Sequence, residues 1–181
     1  MTLDDLLKKK RSSLLSRWLD RIIETYPADT KKFFENQKDQ FANPVGYTIS
    51  REIAKLFDEL LQAINPDRVT QILDGIIKIR AIQDYSPSQA LAFIFQLKDV
   101  IREDLETEVK EHELWEELLQ LESKVDKVAL FAFDNFMGCR EKIYEMRVHE
   151  TNNQVSGLLK RANLISEIPE WESNLKKNRN L

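Results

Sequence analysis

Val128-Ala129-Leu130-Phe131-Ala132-Phe133 is apolar on every side of a helix, and Asp134 and Asn135 follow it directly. The run sits inside the longest uninterrupted helical pattern in the chain, from near Leu114 at least to Val148. A helix packed on one partner needs a single apolar stripe, whereas an all-round belt has two opposite faces to bury. One face can serve the chain's own core. The other calls for a second surface, most simply another copy of the chain, with Leu130, Phe131, Phe133 and Met137 as candidate contacts.

Helical spacing extends outward from this run over nearly the whole sequence. Thr2 with Asp5 three residues on reads as a capping box. It opens a first helix whose stripe is Leu3, Leu7, Leu14, Trp18, Ile22 and Tyr26, and Pro27 ends it. A short piece over Thr30 to Phe41 carries Phe33 and Phe34, and Asn43-Pro44 reads as a turn. A helix over Val45 to Ile64 follows, and then one capped by Asn65 or Asp67 that reaches about Asp84. Val69, Ile72, Leu73, Ile76, Ile77, Ile79 and Ile82 make that second helix apolar on most sides and therefore central. Ser86-Pro87 places a Ser at N-cap and Pro at N1 of a helix running to about Val109. No segment sustains the period-two alternation of a strand. The expectation is an all-α bundle of about six helices with a long C-terminal one, occupying residues 1–168, and a loosely held tail at 169–181.

Composition agrees with one domain that buries roughly 70% of the surface its unfolded chain exposes. The net charge of -4 gives no basic field for nucleic acid. The single Cys cannot form an intrachain disulfide and fits a reducing cytosol. Acids stand where a signal peptide carries bases, and no apolar run approaches the ~20 residues of a spanning helix. A soluble cytoplasmic protein without membrane insertion is expected.

Residue chemistry offers no catalytic, metal or cofactor site. His112, flanked by Glu108 and Glu116, and His149, four residues after Glu145, share helix faces with acids but lie in solvated, charged surroundings. Neither meets the paired Glu-x-x-His requirement of a di-iron bundle. Cys139 beside Arg140 reads as a structural Cys, because adjacent helix residues do not face one another. The polar residues set among apolar ones are the more telling group. Arg80, Gln83 and Asp84 follow an isoleucine-rich stretch, and Asp134 and Arg140 follow the apolar belt. Buried charges are expensive unless paired, so these five should meet one another, a ligand or a partner chain. They form the candidate polar or ligand site, with a structural ion-pair network between two helices as the plainer reading.

Three blocks carry a family resemblance: Asp39 to Tyr47 (DQFANPVGY), Ile79 to Lys98 (IRAIQDYSPSQALAFIFQLK), and Ala132-Phe133-Asp134 with Cys139 to Glu145 (CREKIYE). Together they resemble the N-terminal domain of the RsbR/RsbRD family, the RsbT co-antagonists of bacterial stress signalling, over about Leu3 to Glu150. The resemblance implies a haem-free, globin-like sensor domain, without catalytic residues, that dimerises through its outer helices and regulates by protein contact. Complete family members add a STAS domain, and the dozen residues after Pro169 leave no room for one, so a stand-alone form is expected. Stand-alone versions also look similar to proteins accompanying sulfite-reduction membrane complexes, which makes an accessory subunit of a redox complex the alternative, and a small-ligand carrier a third. In each case the expected partners are a second copy and a signalling or redox protein.

Overall fold

The computed structural model describes residues 1–27, 31, 41–83 and 85–162. Six α-helices occur among the described residues, in order α1 (Leu3–Lys9), α2 (Arg11–Glu24), α3 (Pro44–Leu60), α4 (Pro66–Ile82), α5 (Pro87–Glu111) and α6 (Trp115–Arg161). No strand occurs among the described residues, so the all-α architecture with a long last helix is as the periodicity predicts. Most of the short piece at Thr30 to Phe41, together with Asp84 and the tail, lies outside the described residues.

Local chemistry sets the helix starts. The Thr2 hydroxyl accepts from the Asp5 backbone N–H at 3.2 Å while the Asp5 carboxylate accepts from the Thr2 N–H at 3.1 Å. Asn43 and Asn65 cap α3 and α4, each with Pro at the first helical position, so Asn43-Pro44 is a helix start rather than a free-standing turn. Ser86 and Gln89 form the reciprocal box at α5, and such a cap stabilises by about 1 kcal/mol.

The first helix expected from the sequence is two. It breaks at Lys10, whose ammonium is bound by the Asp104 carbonyl at 2.6 Å and the Glu108 carboxylate at 2.5 Å on α5. The predicted stripe nevertheless holds across the break: Leu3, Leu7, Leu14, Trp18, Ile22 and Tyr26 are all buried.

α2 packs along α5 and also meets α3, while α3 and α4 lie side by side. Gly75 permits that last approach, since a Cβ there would stand 3.1 Å from Glu52 Cγ. The expectation that α4 is apolar and covered on most sides holds only in part. α5 buries nine side chains against six on α4, where Ile82 is exposed and Ile72 and Ile79 are half-buried. The Trp18 indole N–H donates to the Phe93 carbonyl at 2.6 Å, and the two rings stack at 6.5 Å. Arg102–Glu122 and Lys98–Asp126 join α5 to the first part of α6.

The chain divides into two compact units, Met1–Glu141 and Lys142–Leu181, with the boundary inside α6. In the first, α6 buries Leu118, Leu121, Val125, Val128, Ala129, Ala132 and Phe136. In the second, every described residue except Ile143 and Gly157 is exposed. No helix of the described residues is long and apolar enough to cross a membrane.

Candidate functional site

Arg80, in the last turn of α4, is completely buried. Its guanidinium lies 5.4 Å from the Tyr26 ring centroid, 5.3 Å from Tyr85 and 5.3 Å from Phe93. Three segments distant in sequence therefore supply one aromatic cage: the chain just after α2, the α4–α5 connection, and α5. Tyr26 and Tyr85 meet edge to face at 6.1 Å, and the Tyr85 hydroxyl donates to the Thr25 carbonyl at 3.3 Å. The guanidinium donates to the Gln89 carbonyl at 3.2 Å and to the Thr25 hydroxyl at 3.3 Å.

All of these partners are neutral, and Nε–H has no acceptor among the described residues. Burial pulls the Arg80 pKa below its ordinary value, with the two tyrosines acting in the opposite sense. Burial likewise raises the Tyr26 phenol, and the positive Arg80 opposes it. Ring faces attract a desolvated guanidinium by up to roughly 2 kcal/mol each, so the cage offsets part of the desolvation cost.

The other four residues of the predicted polar site are placed differently. Gln83 is the C-cap of α4, its Oε1 buried without a donor among the described residues. Asp84 lies outside the described residues. Asp134 is exposed on α6. Arg140 is half-buried and donates to the Ala81 carbonyl at 3.1 Å, fastening α6 to the end of α4. Arg80 and Arg140 thus stand at the same helix end, Arg140 reaching the Ala81 carbonyl from α6.

Sequence reasoning missed three buried carboxylates, because each looks like an ordinary solvated acid. Glu52 is held by Arg51 and Lys55, Glu59 accepts from the Asn65 N–H at 3.2 Å, and Glu122 receives a two-pronged contact from Arg102 at 2.5 and 2.7 Å. The aromatic cage was missed as well; Tyr85 stands in a quoted block, but no spacing links it to Tyr26. His112 is the C-cap of α5 at a charged junction, and Cys139 is half-buried, its Sγ 3.7 Å from Asn135 Oδ1. Among the described residues no group of three His, Cys, Asp or Glu could hold a metal ion.

The candidate contact face on α6 divides as follows. Leu130, Phe133 and Met137 are exposed, at 68%, 46% and 37%, and Phe131 is half-buried. Phe95 on α5 is also exposed. A cleft of about 480 Å³ between α5 and α6 has Val109, Trp115, Leu118 and Leu119 as its apolar wall. Arg17, Asp20, Arg21, Glu24, Thr25 and Gln96 line a polar groove of about 530 Å³ along α2 and α5. The Glu103 carboxylate, which lines the cleft, is held below the usual range, first by its hydrogen bond from Arg21 and then by the nearby charges of Arg21 and Arg17.

Residues 12–150 match the family model described as the RsbT co-antagonist protein rsbRD N-terminal domain. That span covers most of the chain, which therefore belongs to this family. The chain is also similar to an uncharacterized protein of Archaeoglobus fulgidus, 25% identical over 143 residues, which span 77% of this chain and 83% of that one. No solved structure matches the chain.

Proposed function

We propose that this member of the RsbRD N-terminal-domain family is a non-catalytic cytoplasmic regulatory module that works as a homodimer joined through its last helix. Family membership supports the signalling role. The carrying observation for the dimer is the set of large apolar side chains that α6 leaves uncovered, Leu130, Phe133 and Met137 in the first unit. Fully burying an exposed side chain of this kind is worth about 1.5–3 kcal/mol, and Phe133 and Met137, already partly covered, gain less.

The second unit adds an independent argument. Its helix from Lys142 to Arg161 is almost wholly exposed, whereas helices in proteins draw most of their stability from packing an apolar face. Tyr144, Val148, Thr151, Val155 and Leu158 recur along it at alternating spacings of four and three. Val148 and Val155 recur at one core position, and β-branched residues there suit a parallel two-stranded coiled coil. A second copy covers such a seam with the same residues, as two-fold symmetry requires.

The test is the mass of the full chain by light scattering, with Leu130→Asp and Phe133→Asp made singly and together. The wild type is expected as a dimer and the double variant as a monomer with unchanged far-UV circular dichroism. A monomeric wild type at micromolar concentration refutes the reading, and a dimeric double variant refutes the part of it that rests on Leu130 and Phe133.

A further inference from the structure

We propose that the cleft between α5 and α6 is the docking site for a partner protein, which inserts the apolar side of a short helix flanked by Lys or Arg. This rests on the regulatory reading, since such a module needs a surface that passes its signal on, but not on the dimer. Val109 and Leu118 are the buried floor of the cleft. Trp115 and Leu119 are its wall, left 50% and 65% exposed. Large apolar side chains standing in water around a concavity of about 480 Å³ are what a helix seated in a groove covers.

Charge selects the partner. Glu103, Glu106 and Glu122 rim the cleft against Arg102. From Asp99 to Glu122 the chain carries ten carboxylates against two bases, Arg102 and Lys110. Lys10, Arg17 and Arg21 reach this stretch from α2 and the residue before it, and Lys98 is taken up by Asp126, so five acids remain in excess. A basic helix is the complement of that field, both for encounter and for rejecting acidic competitors. A second copy does not suit the place, because a two-fold contact through this face sets each acidic rim against its own image. The cleft is also separate from the Leu130, Phe133 and Met137 face. The Arg102–Glu122 and Lys98–Asp126 bridges cross from α5 to α6 between the two, and Leu119 lies about 16 Å along the helix from Leu130 at ~1.5 Å per residue.

The turn joining the two helices points the same way. The Leu114 N–H donates to the Val109 carbonyl at 3.0 Å, and Glu113 takes a φ of 53°. Helix ends ordinarily give that left-handed position to Gly, which adopts it without strain. Here it holds an exposed carboxylate two residues before Trp115, at a cost in stability that Gly would avoid.

The experiment is fluorescence anisotropy of a labelled, amidated helical peptide with Leu at i, i+3, i+4 and i+7 and Lys elsewhere, titrated with the full chain. It should bind saturably, weaken as salt rises, and bind far more tightly than the same peptide with Glu in place of Lys. Leu119→Ser and Glu106→Lys, both at exposed positions, should each weaken binding at least several-fold. Glu113→Gly should weaken it too while raising the unfolding midpoint, which a merely structural Glu113 would not do. Asp67→Lys, on α4 and outside the cleft lining, is the control for diffuse attraction. Light scattering of the same samples follows the dimer separately, and its mass should be unchanged in every variant. Equal binding of the two peptides overturns the proposal, as does unchanged affinity in Leu119→Ser. Equal weakening by Glu106→Lys and Asp67→Lys overturns it as well, since the attraction is then not local to the cleft.

Discussion

Replacing Trp18 by Phe tests the joint on which both the core and the cage depend. Trp18 is fully buried, its indole N–H bonds to the Phe93 carbonyl at 2.6 Å, and its ring stacks on Phe93, which in turn faces Arg80. The lost hydrogen bond removes about 1 kcal/mol; the Phe93 carbonyl still receives its helical partner, which keeps the loss near the net value rather than the full desolvation penalty. The smaller ring leaves roughly 40 Å³, or about 1 kcal/mol at ~24 cal/mol per Å³. The apolar surface no longer buried removes about another 1 kcal/mol. The sum is about 3 kcal/mol, a fall in midpoint of roughly 6–12 °C for a chain of this size. Urea unfolding followed by far-UV circular dichroism at one fixed chain concentration measures it, with Trp115→Phe as the control. Trp115 is half exposed, and its substitution should change stability by less than about 0.5 kcal/mol. Equal effects of the two substitutions would refute the argument, since they differ in burial and hydrogen bonding.

The Arg102–Glu122 pair should respond asymmetrically, because Arg102 is 56% exposed and Glu122 only 9%. Arg102→Met strands a buried carboxylate and should cost about 1–3 kcal/mol, while Glu122→Gln releases an arginine into water and should cost under about 1 kcal/mol; thermal unfolding at low salt reads both, and the reverse order contradicts the burial argument. Stability should also fall on acidification. Glu103 and Glu108 have pKa values depressed in the folded state, first by their hydrogen bonds from Arg21 and Lys10. Their contribution is present above the unfolded carboxylate pKa and is lost as pH falls through the folded one. Glu103→Gln should flatten part of that acid limb in a series of melts from pH 7 to pH 3, and 1 M salt should do likewise.

Helix content, the caps at Thr2, Asn65 and Ser86, and the buried stripe of α1 and α2 were legible because each is written in local spacing. The break at Lys10 was not, since the cation's partners come from α5, some 95 residues away. The exposure of Ile82 escaped for a related reason: counting isoleucines measures how apolar a helix is, not which of its faces find neighbours. Of the polar site, Arg80 stood out as a charge in an apolar stretch. Its aromatic surroundings could not, because Tyr26, Tyr85 and Phe93 converge only once α2 lies on α5. Asp134 misled by its position after the apolar belt; a helix turns 100° per residue, and that rotation carries it to the exposed side.

The pairing of α2 with α5, and of the α1 start with Glu117 through the Leu3 N–H at 2.7 Å, has a consequence for how the chain matures on the ribosome. α3 and α4 are neighbours in sequence and in space, so they can close on each other as soon as both have emerged. The first two helices can meet α3 early, but their apolar stripe is covered fully only after α5 has been made, and α1 gains its last partner only with Glu117. Contacts of such separation are late and slow to form. During that interval Leu14, Trp18 and Ile22 are the stretch a chaperone would meet first.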